Sequence, residues 1–154
     1  MIRRILLALT LILGGMAPAL ADDAADATKA QALVEKAIAY YKQVGREKAI
    51  ADFSDKTNKD WVDGEWYVIV ADADTGIFRA HLTKALTNDP KIWDLKDVNN
   101  RYIIRDMVEA GKTNPNGGWT EYVWTNPATK KAQPKKTFVR KVDDSLFMVG
   151  YYVN

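Results

Sequence analysis

The chain contains no cysteine, one histidine and two serines, and these shortages remove much chemistry before any element is drawn. Without cysteine there is no disulfide, no thiolate nucleophile and no thiolate metal ligand, so stability must come from a hydrophobic core. A zinc site needs three or four His, Cys or acidic ligands, and here His81 would be joined by carboxylates alone. Ser54 and Ser145 read as residues of polar loops, without the Gly-x-Ser-x-Gly elbow of a hydrolase. Gly117-Gly118 lacks the downstream Lys-Ser/Thr of a phosphate loop. Counting from Asp72, the positions where a calcium loop needs Gly and Glu hold Ile77 and Thr83. No metal or cofactor is expected, and a small-metabolite enzyme is the weakest function class.

Long apolar runs are also scarce. Ile5 to Leu13 is an apolar run of about nine residues, well short of the ~20 that cross a bilayer as a helix. Arg3 and Arg4 precede it, Gly14, Gly15 and Pro18 break it, and Ala19-Leu20-Ala21 follows as a small-x-small cleavage site. This is the pattern of a secretory signal peptide over residues 1–21, leaving one domain over 22–154 and no stable membrane insertion after cleavage. The expected location is periplasmic or secreted. Cleavage would remove two arginines and no acidic residue, so 22 basic against 20 acidic residues becomes 20 against 20. A near-neutral mature chain has no basic face for nucleic acid. The densest basic group, Lys130, Lys131, Lys135 and Lys136, flanks a turn and reads as a solvated loop.

What remains is a globular α+β pattern, 47% hydrophobic and 27% charged. A capping-box spacing, Thr28 to Gln31, predicts a helix from Thr28 to Val44, with Leu33, Ala37, Tyr41 and Val44 on one stripe and Gly45 as its stop. A short helix is predicted over Arg46 to Phe53. Trp66 to Ala71 is apolar at every position, as in a central strand covered on both faces. Asp72 to Gly76 turns the chain, and Ile77 to His81 returns. Residues 83–100 read as a loop, in which Asp94, Asp97, Asn99 and Asn100 cap a helix predicted from Arg101 to Ala110, with Gly111 ending it.

The C-terminal third carries most of the information. Gly117-Gly118 launches the alternating run Trp119-Thr120-Glu121-Tyr122-Val123-Trp124, residues 126–131 turn, and Gln133 to Val139 returns as a second strand. A last strand is predicted over Leu146 to Val153. The hairpin connections imply an antiparallel sheet. Alternation puts Glu121 and Trp119 on the face opposite Tyr122 and Trp124.

This hairpin resembles the second-type single Cache domain, a PAS-like extracellular sensor family. There a Gly-Trp-x-x-Tyr-x-Trp-x-x-Pro strand runs into a Pro-Lys-x-x-Tyr strand, and Phe138 stands where the family usually has Tyr. Trp66 to His81 resembles the family's apolar strand, turn and Ala-His strand end. The resemblance covers essentially the whole mature chain and implies a five-stranded antiparallel PAS-like sheet with a long N-terminal helix on one face. A membrane receptor of this class continues into a second transmembrane helix and an output domain. A sequence ending at Asn154 leads to the expectation of a stand-alone exported form.

Five Trp and seven Tyr supply material for an apolar site with a few placed polar groups. Tyr67, Trp93, Tyr122, Trp124 and Tyr152 are candidates for its lining, while Trp66 and Phe147 read as core. The resemblance implies a small organic ligand, often a short carboxylate, held between the sheet and the long loop. His81 and Lys135 match the family's recurrent polar positions, and Tyr122 and Trp124 its aromatic ones. Lys135 could neutralise a carboxylate while His81 or Tyr122 donates a hydrogen bond, with Arg105 and Arg79 as further charge partners. From sequence two readings stay open for this set, a pocket lining or an ordinary core. The expected function is therefore an exported sensor that binds a small organic ligand and signals through a membrane receptor or other signalling protein. The rival is a ligand-free interaction module of the same fold, and homodimerisation is compatible with either.

Overall fold

The computed structural model describes the backbone of residues 17–153. Residues 1–16 of the expected signal peptide lie outside the described residues, and Ala17 to Ala21 begin a helix. That helix, α1 (Ala17–Val44), is 28 residues long and starts well before Thr28. Its first half is rich in alanine, the strongest helix former, so the helix passes through the predicted cap. Thr28 sits inside it, and its hydroxyl donates to the Ala24 carbonyl at 2.9 Å. Gly45, with φ +86°, ends α1 in a backbone conformation that favours glycine. Helix α2 (Arg46–Ser54) follows at once and buries Ala49 and Phe53.

The sheet comprises β1 (Val62–Asp63), β2 (Trp66–Asp72), β3 (Phe78–Ala80), β4 (Gly118–Thr125), β5 (Ala132–Val142) and β6 (Ser145–Tyr152). Its order is β1-β2-β6-β5-β4, with β3 also on β2, and every strand pair is antiparallel. The fold is thus α+β, and the expected five strands are joined by a two-residue sixth, β1, to which the sequence reading assigns no element. Helix α3 (Ile103–Thr113) lies between the long loop and the hairpin. Among the described residues no helix is long and apolar enough to cross a membrane.

Period-two alternation divides the core into two layers. Val68 and Val70 of β2 face α1 and α2, where they join Val34, Phe53, Phe147 and Tyr151. Tyr67, Ile69 and Ala71 face the other way, toward α3 and the loop, with Met107, Tyr122 and Met148. Both faces of β2 and β6 are covered, as the unbroken apolar run of β2 predicts. Ser145 is correspondingly a buried residue at the start of β6, not a polar loop residue.

Three further differences from the sequence reading have packing causes. Gly111 does not end α3; it lies within the helix, where a side chain would stand 2.5 Å from Leu146 and 3.1 Å from Val139. Its role is close approach of helix to sheet. The long loop contains two 3₁₀ turns, Lys84–Leu86 and Pro90–Asp94, and the second buries Ile92. Asp97 does not cap the next helix, whose N-cap is Tyr102 with no side-chain cap bond; it organises the loop before it. One of its oxygens accepts from the Asn99 and Arg101 amides and the other from the Val123 amide at 3.0 Å, which ties the loop to β4.

Gly118 lets β4 lie close against α3, since a Cβ there would meet the Ala110 carbonyl oxygen at 2.5 Å. A backbone carbonyl cannot swing aside as a side chain can. Gly118→Ala is expected to destabilise the fold by about 1–3 kcal/mol in urea unfolding. Gly64→Asn, at φ +60° with open space around it, is expected to change stability by less than about 0.5 kcal/mol.

Candidate functional site

The candidate residues converge on the sheet face beneath α3 and the long loop. On β5, Lys135, Thr137 and Val139 share that face by alternation. The register sets Lys135 directly opposite Tyr122 of β4 on one side and Tyr152 of β6 on the other. Lys135 is therefore fully buried, at 0% exposure, and is not part of a solvated loop. Its Nζ donates to the Tyr67 hydroxyl at 2.9 Å and lies 4.3 Å and 4.9 Å from the ring centres of Tyr67 and Tyr152. Among the described residues no carboxylate forms an ion pair with it. Burial consequently pulls the amine below the ordinary lysine range.

The hydroxyls around this amine are each accounted for. Tyr122 Oη and Thr137 Oγ1 share a hydrogen bond of 3.0 Å, and Tyr152 Oη donates to the Thr125 carbonyl at 2.9 Å. Burial pushes the Tyr67, Tyr122 and Tyr152 phenols up, so all three are neutral donors at ordinary pH. His81 follows β3 and is buried against two aromatic rings. It stacks parallel on Phe78, with centroids 5.1 Å apart, and meets Tyr67 edge-on at 5.5 Å. Its Nδ1 accepts the Thr83 amide at 2.8 Å, which leaves the proton of the neutral ring on Nε2. Burial and the neighbouring Lys135 pull its pKa down to about 3.

Between His81, Tyr122 and α3 lies a small cavity, which Lys135 does not line. It is lined by Ile69, His81, Met107, Tyr122 and Trp124 among others, and offers about 10 Å³ to the centre of a water-sized sphere. That is about the minimum for one water. The open hollow anticipated from the aromatic content is thus closed down by its own side chains. His81 also borders a surface cleft of about 460 Å³ with Lys56, Arg79, Leu82 and Lys84, so one residue separates the interior from a partly basic surface.

Not every candidate joins this cluster. Tyr67, His81, Tyr122, Trp124 and Lys135 come together, whereas Trp93 and Arg105 form an outer group. The Arg105 guanidinium lies 3.7 Å from the Tyr102 ring centre and 5.6 Å from that of Trp93, and pairs with Asp94. Arg79 is held by Asp72, which also binds Arg46. Sequence reasoning passed over Thr137 and Phe78. Thr137 was accessible through parity with Lys135, two positions away; the Phe78–His81 stack depends on how the chain leaves β3.

Across residues 16–154 the sequence matches the family model for the single Cache domain 2. The chain belongs to that family. A comparison with curated protein sequences finds no match. Among solved structures, the Cache domain resembles one described as a methyl-accepting chemotaxis protein from Vibrio parahaemolyticus RIMD 2210633, at 19% identity and TM-score 0.68, covering 88% of this chain and 93% of that one. It resembles a Cache chemosensory domain, described in terms of carboxylic acid recognition, at 17% identity and TM-score 0.70, covering 88% and 98%. It also resembles a periplasmic sensor domain of a chemotaxis protein at 21% identity and TM-score 0.64, covering 90% and 100%. At these identities the likeness establishes the fold.

The buried histidine generates a pH test. The unfolded imidazole gains a proton below its ordinary value of 6.5, while the folded one stays neutral until about 3. Stability from this group is therefore complete above pH 6.5 and lost as pH falls toward 3. Near pH 5 the wild-type unfolding free energy is expected to fall with acidification more steeply than that of His81→Gln. The difference in slope should approach about 1.4 kcal/mol per pH unit, read from urea midpoints across pH 4.5–7.

Proposed function

We propose that this Cache domain is an exported sensor that binds a small organic ligand, a short carboxylate or similar metabolite, beside Lys135. Occupancy would then be passed to a membrane receptor or other signalling protein. The observation that carries this reading is a fully buried amine whose partners are a hydroxyl and aromatic rings, with no carboxylate paired to it among the described residues. A charged ammonium in that setting is costly, and an arriving carboxylate supplies the missing counter-charge. Tyr67, Tyr122 and the Nε2–H of His81 are neutral donors in the same cluster and suit the remaining oxygen lone pairs. Export is supported by the Arg3-Arg4, apolar and Ala19-Leu20-Ala21 sequence.

The cavity is too small for any metabolite as it stands, so binding requires Leu95, Met107 or Trp124, which line it, to move outward. A ligand of four to six heavy atoms gains at most about 1.5 kcal/mol per atom, and opening the site subtracts from that. Affinities in the micromolar to millimolar range follow. Because the empty site depresses the Lys135 amine, binding an anion draws a proton onto it.

The test is calorimetry and thermal shift against short carboxylates, amines and amino acids, repeated in buffers of different ionisation enthalpy. At least one carboxylate should raise the melting temperature and bind with proton uptake at alkaline pH. Lys135→Met, folded by circular dichroism, should lose that response. The filled cavity favours one rival, an interaction module of this fold that has no ligand. A flat response across the panel, with nothing retained in native mass spectrometry, would establish the rival instead.

A further inference from the structure

A second feature of the Cache domain lies along the outer edge of β4, the strand that carries Tyr122 and Trp124, and its argument does not rest on the ligand reading. Strand β4 is an edge strand. The Val123 amide donates to Asp97, away from β5, while its register partner Pro134 accepts from Val153 on the far side. By alternation the amides and carbonyls of Glu121 and Trp119 also point away from β5. They open into a surface cleft of about 730 Å³ between α3 and the start of α1.

Three observations describe what this cleft would accept. Its charge is unbalanced: Lys136 pairs with Asp23 at 2.9 Å and Arg101 with Asp106 at 3.0 Å, which leaves Glu109 and Glu121 exposed and outside any ion pair among the described residues. Trp119 is 40% exposed, although its ring is held against Phe138 at 5.1 Å and Tyr151 at 6.0 Å, so a fixed aromatic face looks outward. Thr120, in the lining, is only 7% exposed, and its hydroxyl is buried without a hydrogen-bond partner. Buried hydroxyls are ordinarily satisfied, and this one has no partner among the described residues.

We propose that the β4 edge is a docking site for a short, extended, basic segment of another protein. The segment adds as a strand, exchanging backbone hydrogen bonds with Trp119 and Glu121. Alternate Lys or Arg side chains reach Glu109 and Glu121 and lie over the Trp119 ring. Asp97 already occupies the Val123 amide, so the paired stretch is short and binding is modest. A second copy of the chain is the poorer occupant, because pairing two β4 edges brings two acidic clefts together.

The test uses the full chain, isotope-labelled, with a fluorescent Lys-Val-Lys-Val-Lys-Val peptide and its Glu-Val counterpart as probes. The basic peptide should bind, weaken with salt, and slow hydrogen exchange at the Trp119 and Glu121 amides. The exposed double change Glu109→Gln/Glu121→Gln should weaken it about tenfold or more, since two charge-assisted contacts are lost. Equal binding of the acidic peptide, unprotected amides at Trp119 and Glu121, or unchanged affinity in the double variant would each overturn the proposal. So would protection of the same amides by the protein alone as its concentration is raised, which would assign the edge to a second copy.

Discussion

The structure of this Cache domain turns on an amine placed in the middle of a sheet. Strand alternation leaves no choice about it. Once Val139 and Thr137 face α3, Lys135 must do so as well, and β6 and β4 then enclose it between Tyr152 and Tyr122. Four carbons and an amine are buried at a cost of several kcal/mol if the group is charged. The surroundings soften that cost without removing it: one hydroxyl, two ring faces and a depressed pKa stand in for a carboxylate.

The same two strands carry a second lysine–tyrosine pair on their other face. Lys136 is the register partner of Tyr151 as Lys135 is of Tyr152. Lys136 Nζ and Tyr151 Oη both donate to Asp23 in α1, at 2.9–3.0 Å and 2.8 Å, and these bonds hold its carboxyl below the usual range. The site under the loop and the anchorage of the N-terminal helix are thus one residue apart on each of two neighbouring strands.

Much of the scaffold was legible in the sequence because single local rules governed it. β2 is covered on both faces and reads as an unbroken apolar run; Gly45 stops α1 because its conformation favours glycine; the hairpin carries its own turn. The failures lie where two rules compete. Thr28 fits a cap, but eleven preceding helical residues override it. Gly111 is a plausible helix stop, yet its lack of a side chain serves contact with Leu146 and Val139. Ser145 looked like loop because its neighbours Asp143 and Asp144 are polar; it is buried at the first position of β6. The set around Lys135 could be named from residue type and family pattern, but cavity size could not. Whether aromatic side chains enclose a space or fill it depends on rotamers and on how close the loop lies.

Lys135 and Lys136 illustrate the limit most plainly. They are adjacent and identical, and a sequence reading placed both in a solvated basic group. In the fold one is buried, with no carboxylate paired to it among the described residues, and the other is half-exposed in an ion pair with Asp23. Parity alone assigns them to opposite faces, and only the presence of α3 and the loop over one face makes that assignment costly. An apolar residue at position 135 would suit its surroundings better, since replacing a poorly compensated buried charge by a hydrophobic side chain of similar volume is often neutral or stabilising. Positions where a chain departs from its own packing logic concentrate at functional sites. The departure here is local: Lys135 and His81 lie buried beside a cluster that, from Ile69 to Met148, is apolar or aromatic. A fold that stays ordered around such a residue has enough core elsewhere to carry it, and what it holds is a buried amine framed by a neutral hydroxyl and aromatic rings.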